Sequence, residues 1–374
     1  MNFIEEYKKG QTGGNKGLPM GPGLMNVAKA VNGVQRGRIY GIAAPPKAGK
    51  STFTDYAFVV QPFLYAVENN IAIEWIYFSF ELDRVSKEFD FATYFLYHDH
   101  KVESIKLPEG IKKDGKTEVG LSPDYLRGRM QDDEGKTIKV DAAIFELIKK
   151  VYIERVIPLF GEYDSNGNQV SKGYITFIEE KDNPTGLYKY LKKHAEKDGK
   201  FITQKYGKTN RITGYKPNNP GKYTIIVTDH LRKLLPERGF QMKQTVDKYI
   251  EYSVELRNWC GYTFAHIIHL NRGMTETGRM KEFGDMLFPG SDDIKDPGNL
   301  AEDADFIFTI FNPNDQRYNL KKHFGTVIKD SRDNPIFPNL RTVHLVESRH
   351  CEFPQHFRTN MFGGLKNFEL IKEK

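Results

Sequence analysis

Along this chain, short runs of β-branched and aromatic residues alternate with longer stretches whose apolar positions recur at helical spacing. The runs 38–44, 72–80, 156–161, 223–229, 262–269, 304–311 and 341–348 predict strands, each being short, apolar and bounded by polar or turn-forming residues. The stretches 50–67, 84–97, 141–155, 185–198 and 244–259 predict helices. Within 141–155, Ile144, Phe145, Ile148, Val151 and Tyr152 share one helical face. Pro62 sits inside the first helical pattern. It has no N–H to donate and its ring crowds the preceding turn, so a kink or early end is expected there. Strand and helix in alternation predict an α/β fold with a mostly parallel central sheet flanked by helices. The unbroken apolar run of Ile225, Ile226 and Val227 agrees, because parallel strands are buried on both faces.

Two segments stand outside this alternation. Residues 9–23 are rich in Gly, Pro and Lys, so 1–30 reads as a flexible N-terminal arm or linker and 31–374 as the compact domain. Residues 200–222 are polar and turn-rich and predict an exposed loop or small hairpin.

Composition narrows the class. With 39% hydrophobic and 28% charged residues, the 374-residue chain can bury a core under a solvated surface. A formal charge of +6 permits a polyanion partner without demonstrating one. The two cysteines, Cys260 and Cys351, are far apart in sequence, which argues against a disulfide scaffold or a Cys-ligated zinc site and fits a reducing compartment. No apolar run reaches the roughly 18 residues of a membrane span, and the N-terminus lacks the apolar core of a secretory signal. A cytoplasmic protein with no membrane contact is the expectation.

The strongest chemical signal is Ala44, Pro45, Pro46, Lys47, Ala48, Gly49, Lys50 and Ser51, followed by Thr52, between a predicted strand and a predicted helix. Backbone N–H groups at such a helix start cradle phosphate, and small residues let the backbone approach. Lys50 is placed to reach the β- and γ-phosphates of ATP, and the Ser51 hydroxyl to ligate Mg²⁺. Asp229 ends an apolar strand, where a carboxylate can hold the same hydrated Mg²⁺. Glu81 ends another and suits a base or orienter for attacking water, although a helix-start glutamate reads the same way. His269 ends a third and is a candidate γ-phosphate sensor. A zinc pair with His266 is disfavoured, since residues three apart on a strand face opposite sides. Ser51, Glu81, Asp229 and His269 all fall just beyond strand carboxyl ends, the edge along which open α/β sheets bind ligands.

In this order the motifs resemble those of the DnaB-type replicative DNA helicases, RecA-fold P-loop ATPases that form hexameric rings. The resemblance rests on Gly33 through Gly37 leading into RIYGIAAPPKAGKS, FSFEL at 78–82, IIVTDHL at 225–231, HLNR at 269–272, Asp296 to Gly298 with Asp303 and Asp305, and HLVESRH at 344–350. It implies a catalytic role for Glu81 and Lys50, γ-phosphate sensing by His269 and an arginine finger at Arg349. Glu347 stands where that family usually carries a lysine. The resemblance is to a core-only, phage-like version, without the N-terminal domain that engages primase in bacterial members. It further implies a homo-oligomeric ring, single-stranded DNA as partner, and a primase or helicase loader as a further one. Two pore loops, 236–245 and 272–292, would then offer Arg238, Lys243, Arg272, Arg279 and Lys281 to DNA phosphates. A RecA- or RadA-like recombination or repair ATPase, a small-molecule kinase and an ATP-gated scaffold remain the competing readings.

Overall fold

The computed structural model describes residues 4, 8, 11, 16–207, 209–271, 277–294 and 299–371. Its centre is a nine-stranded sheet. In chain order the strands are β1 (Ile39–Ala44), β2 (Ile73–Ser79), β3 (Ile175–Ile178), β4 (Tyr223–Asp229), β5 (Thr263–His269), β6 (Phe306–Phe311), β7 (Leu340–Ser348), β8 (Gln355–Phe362) and β9 (Asn367–Glu369). Across the sheet they run β3-β2-β4-β5-β1-β6-β7-β8-β9. Neighbours from β3 to β6 pair parallel, and β7, β8 and β9 extend the sheet antiparallel. This is the RecA-like α/β arrangement.

Period-two geometry sends alternate side chains of each central strand to opposite faces. Tyr40, Ile42, Trp75, Tyr77, Ile225 and Val227 pack into the core on one side. Ile39, Ala43, Ile76, Phe78, Ile226 and Phe264 pack into the core on the other. The helices at 50–68 and Arg84–His100 cover the first face, and those at Pro184–Asp198 and Met242–Cys260 cover the second. Burial on both faces is why these strands read as unbroken apolar runs.

Pro62 does not end its helix. The helix runs through Lys50–Asp55, widens to a π turn at Tyr56–Val60 and continues through Gln61–Glu68. Pro62 has no N–H for the Phe58 carbonyl four residues back, and the Trp75 indole donates to that carbonyl instead, at 2.7 Å. The run 156–161, expected as a strand, is helical through Phe160, where a π turn at Tyr152–Val156 leads into Ile157–Phe160, and Gly161 opens a short strand paired with Lys172. Val151, Val156, Leu159 and Phe160 are buried, so Val156–Phe160 continues the apolar face of Ala142–Val151. The segment 16–30, within the arm expected as a linker, is packed together with Val31. Leu18, Met20, Leu24, Val27 and Val31 are buried, and Thr359 donates to the Gly23 carbonyl. Residues 200–222 contain most of an antiparallel hairpin, Gly199–Tyr206 against Thr209–Pro217. Among the described residues, no helix is long and apolar enough to cross a membrane.

Replacing Trp75 by Phe keeps an aromatic ring but removes the indole donor to the Phe58 carbonyl. The expected loss is about 1–3 kcal/mol of stability, read as a lower denaturant midpoint at unchanged slope.

Candidate active site at the carboxyl edge of the sheet

Four strands converge on one edge. Ala44 at the end of β1 lies in register with His269 at the end of β5. Asp229 at the end of β4 lies in register with Ser79 at the end of β2, and the Phe80 N–H donates to the Asp229 carbonyl at 2.8 Å. The sheet order β2-β4-β5-β1 therefore places Glu81, Asp229, His269 and the turn after Ala44 side by side.

That turn is held from behind. Ala44, Pro45 and Ala48 are buried, Pro46 and Lys47 are exposed, and Gly49, Lys50, Ser51 and Thr52 are half-buried. The Ala48 N–H donates to the Pro45 carbonyl at 3.2 Å, and Arg341 at the start of β7 donates to the Ala48 carbonyl at 3.3 Å. Lys47 and Gly49 have φ of 65° and 104°. A Cβ on Gly49 would come within 2.2 Å of the Met361 sulfur, so glycine is required there. The helix then starts at Lys50, leaving its first N–H groups without helical partners and open to an anion.

Asp229 is 1% exposed. Its Oδ2 faces the Lys87 ammonium at 3.7 Å, while its Oδ1 is buried with no hydrogen-bond partner among the described residues. An uncommitted hard carboxylate oxygen beside the phosphate turn fits a Mg²⁺ ligand. Lys87 is fully buried and also donates to Asp55 of the phosphate-turn helix at 2.7 Å; Tyr77 donates to the other Asp55 oxygen at 2.8 Å. Burial works against the Lys87 charge, yet Asp55 foremost, with Tyr77 and Asp229, holds its pKa well above the ordinary value.

Glu81, His230 and His269 bring one ligating atom each within 4.8 Å of one another. The two imidazoles meet edge to face with centroids 4.1 Å apart, and His230 Nε2 lies 3.6 Å from the Glu81 carboxylate. Burial, reinforced by His269 and Lys50, pushes the His230 pKa down to about 3. Burial, reinforced by Lys50 and Arg232, pushes that of His269 down to about 4. Both rings are thus neutral near pH 7. His266 points away from this group, bonding to Thr228 at 3.3 Å and Ser253 at 3.2 Å.

Arg349 lies elsewhere. Because β7 runs antiparallel to β6, its carboxyl end sits beside Phe306, at the amino edge of the parallel strands. The Arg349 N–H donates to the Asp305 carbonyl at 3.1 Å, and its exposed guanidinium contacts the Glu302 carbonyl and lies 3.6 Å from Asp303. Asp305 anchors this corner, accepting from Arg38 at 3.0 Å, Arg257 at 3.1 Å and the Ile39 N–H at 2.9 Å, with the His350 ring at 2.6 Å.

Of the basic residues expected at DNA, Arg238, Lys243 and Lys281 are exposed, and Arg272 lies outside the described residues. Arg279 is committed differently: both its Nη atoms grip the carboxylate of buried Asp293, so it braces its loop and is not available to a phosphate. Lys243, Asn271, Ser291 and Asp292 line one cleft, so the two expected loops border the same space. Sequence reasoning missed His230, which directly follows Asp229, as well as Arg341, Asp55 and Lys87. A lysine in an amphipathic helix reads as solvated, and nothing local marks Lys87 as buried.

Comparison with solved structures finds this fold in a protein described as a DnaB-like replicative helicase, studied with its interactions with primase. The TM-score is 0.61 at 13% identity, over 99% of this chain and 66% of that one. A second solved structure, described as an ATPase domain, matches with a TM-score of 0.59 at 13% identity, over 99% of this chain and 97% of that one. This chain thus spans just under two thirds of the first protein's length and nearly all of the second. No protein-family model and no curated protein matches the sequence. The likeness is one of fold, and it agrees with the resemblance carried by the motifs.

Two outcomes are expected. Lys87→Met strands two buried carboxylates and should cost about 3–5 kcal/mol, read as a lowered denaturant midpoint. Stability should also depend on acidity. His230 and His269 have pKa values of about 3 and 4 in the folded chain, and burial holds His266 at about 3. Unfolded imidazoles, with pKa about 6.5, take up protons that the folded rings refuse. Their contribution is complete above about pH 6.5 and is lost as pH falls through the folded values. The denaturant midpoint should fall steadily from about pH 6.5 to about 4; a flat profile there would contradict this assignment.

Proposed function

We propose that this chain is an ATP-hydrolysing motor of the replicative DNA helicase kind, translocating on single-stranded DNA as a ring of identical subunits. The observation that carries the proposal is the convergence of the phosphate turn, Glu81, Asp229 and His269 on one sheet edge. Lys50 and the free N–H groups from Gly49 onward hold the triphosphate. Ser51 and the Asp229 Oδ1 hold Mg²⁺, which when bound neutralises phosphate charge. Glu81 takes the proton of, or orients, the attacking water. His269, neutral at pH 7, reads the γ-phosphate by a hydrogen bond and adjoins the loop that follows β5. Arg238, Lys243 and Lys281 remain candidates for DNA phosphates around the cleft between the two loops, and Arg272 with them.

The placement of Arg349 supports action in trans. It projects from the amino edge, opposite its own phosphate turn, so it would serve ATP held by a neighbour. Such a contact joins two different patches of the subunit, the head-to-tail kind that builds a ring. A primase or loader is a natural further partner for such a ring.

The test is ATP hydrolysis with and without single-stranded DNA. The wild type should be stimulated by DNA. Lys50→Ala and Glu81→Gln should each lose at least on the order of 100-fold in turnover, and Arg349→Ala on the order of 10³-fold or more. Mixing Lys50→Ala with Arg349→Ala should restore part of the activity, since one subunit's intact turn then meets the other's intact arginine. Absence of DNA stimulation, with phosphoryl transfer to a metabolite, would favour a kinase instead.

A further inference from the structure

The hairpin Gly199–Tyr206/Thr209–Pro217 lies outside the candidate active site. Its sequence carries Lys200, Lys205, Lys208, Arg211 and Lys216 with no Asp or Glu, close to the whole chain's formal net charge of +6. Strand pairing sorts its side chains onto two faces. One face is an anchor. Phe201 packs on Tyr215 at 5.1 Å between ring centroids and on Trp259 at 6.2 Å, and the Tyr215 hydroxyl donates to the Ala195 carbonyl at 2.7 Å.

The other face is exposed and cationic. Lys200 lies directly opposite Lys216, and Gln204 opposite Arg211. The Arg211 guanidinium lies 5.5 Å from the Tyr206 ring centroid. Tyr206 and Ile202 are 53% and 50% exposed. Like charges facing each other across a strand pair weaken a hairpin, and an exposed aromatic and isoleucine gain nothing in water. A face that carries both costs is suited to an anionic partner with flat apolar surface to cover.

The base of the hairpin fixes its direction. The Asn218 N–H donates to the Asp198 carbonyl at 2.8 Å, and Lys222 bridges Asp198 and Glu74, both at 2.8 Å. Glu74 and Lys222 stand at the amino ends of β2 and β4, so the hairpin leaves the sheet at the edge opposite the phosphate turn. It is therefore separate from the loops that follow β4 and β5.

We propose that this hairpin is a second nucleic-acid contact, a two-stranded basic ribbon that docks on duplex DNA. A two-stranded ribbon has the dimensions of the major groove. Lys200, Lys216 and Arg211 meet backbone phosphates, and Tyr206 and Ile202 meet sugar and base edges. The proposal rests on the motor reading only for the class of partner.

The test compares wild type with the triple variant Lys200→Gln, Arg211→Gln, Lys216→Gln. Binding to a fluorescent blunt duplex and to a fluorescent single strand is measured by anisotropy across a salt series, beside ATP hydrolysis with and without the single strand. The expected result is loss of duplex affinity, by on the order of tenfold or more at low salt, with the log–log salt slope reduced by roughly 3. Single-strand-stimulated hydrolysis should be unchanged. Equal duplex affinity and slope in the variant, or a wild type that does not bind duplex, would overturn the proposal. A wild type that binds duplex through the hairpin but shows no DNA-stimulated hydrolysis would instead overturn the motor reading and leave this one standing.

Discussion

The site depends on one buried charge. Lys87 reaches through the core from the helix after β2 to Asp55 on the phosphate-turn helix and Asp229 at the end of β4. It therefore ties three elements together at the point where phosphate and metal would meet. Stability alone does not explain such a group. Removing an ammonium from water costs several kcal/mol, and apolar residues replacing the ammonium together with its carboxylate partners would serve the core as well or better. What an apolar residue could not do is choose between the two oxygens of Asp229. The ammonium faces Oδ2 and leaves Oδ1 buried and uncommitted. Asp55, by contrast, is satisfied on both oxygens by Lys87 and Tyr77, and so it cannot compete for a metal. The network sorts two neighbouring buried carboxylates into one that is structural and one that is available.

The surrounding histidines follow the same logic. A cation beside the phosphate turn could come from imidazolium as easily as from lysine. Burial removes that option, holding His230 and His269 neutral, so in the proposed site the charge would come from Lys50 and not from the rings. Glu81 is the most exposed member of the group.

The strands and helices that carry the site were legible in the sequence because burial on both faces leaves a local signature. Ile225 to Val227 need no tertiary context to read as a parallel strand, nor does the turn from Ala44 to Ser51. The errors have a common cause. The run 156–161 is apolar because its helix packs on the core, and an apolar run alone does not distinguish helix from strand. β8 escaped notice because it is half-buried and carries His356, Arg358 and Asn360 on its less buried face. Leu18, Met20 and Leu24 were hidden among glycines and prolines that suggested a linker, yet they fill the core. Lys87, Arg341 and the Arg279–Asp293 pair are matters of where a long polar side chain ends, which spacing along the chain does not encode.

The geometry of the sheet also constrains assembly. The phosphate turn lies at the carboxyl edge and Arg349 at the amino edge. A two-fold dimer buries the same patch on both partners, and an interface centred on either edge would place arginine against arginine or turn against turn. A heterologous contact brings one subunit's arginine to another's turn. Each end of such an assembly keeps one unused arginine edge or one unused turn edge until it closes. An active site shared in this way would make the open dimer half-competent at best, with a single complete site between two chains. Were Arg349 to act in trans as proposed, closure into a ring would complete every site without adding a new kind of contact, and catalytic competence would be tied to assembly through the position of one residue at the end of an antiparallel strand.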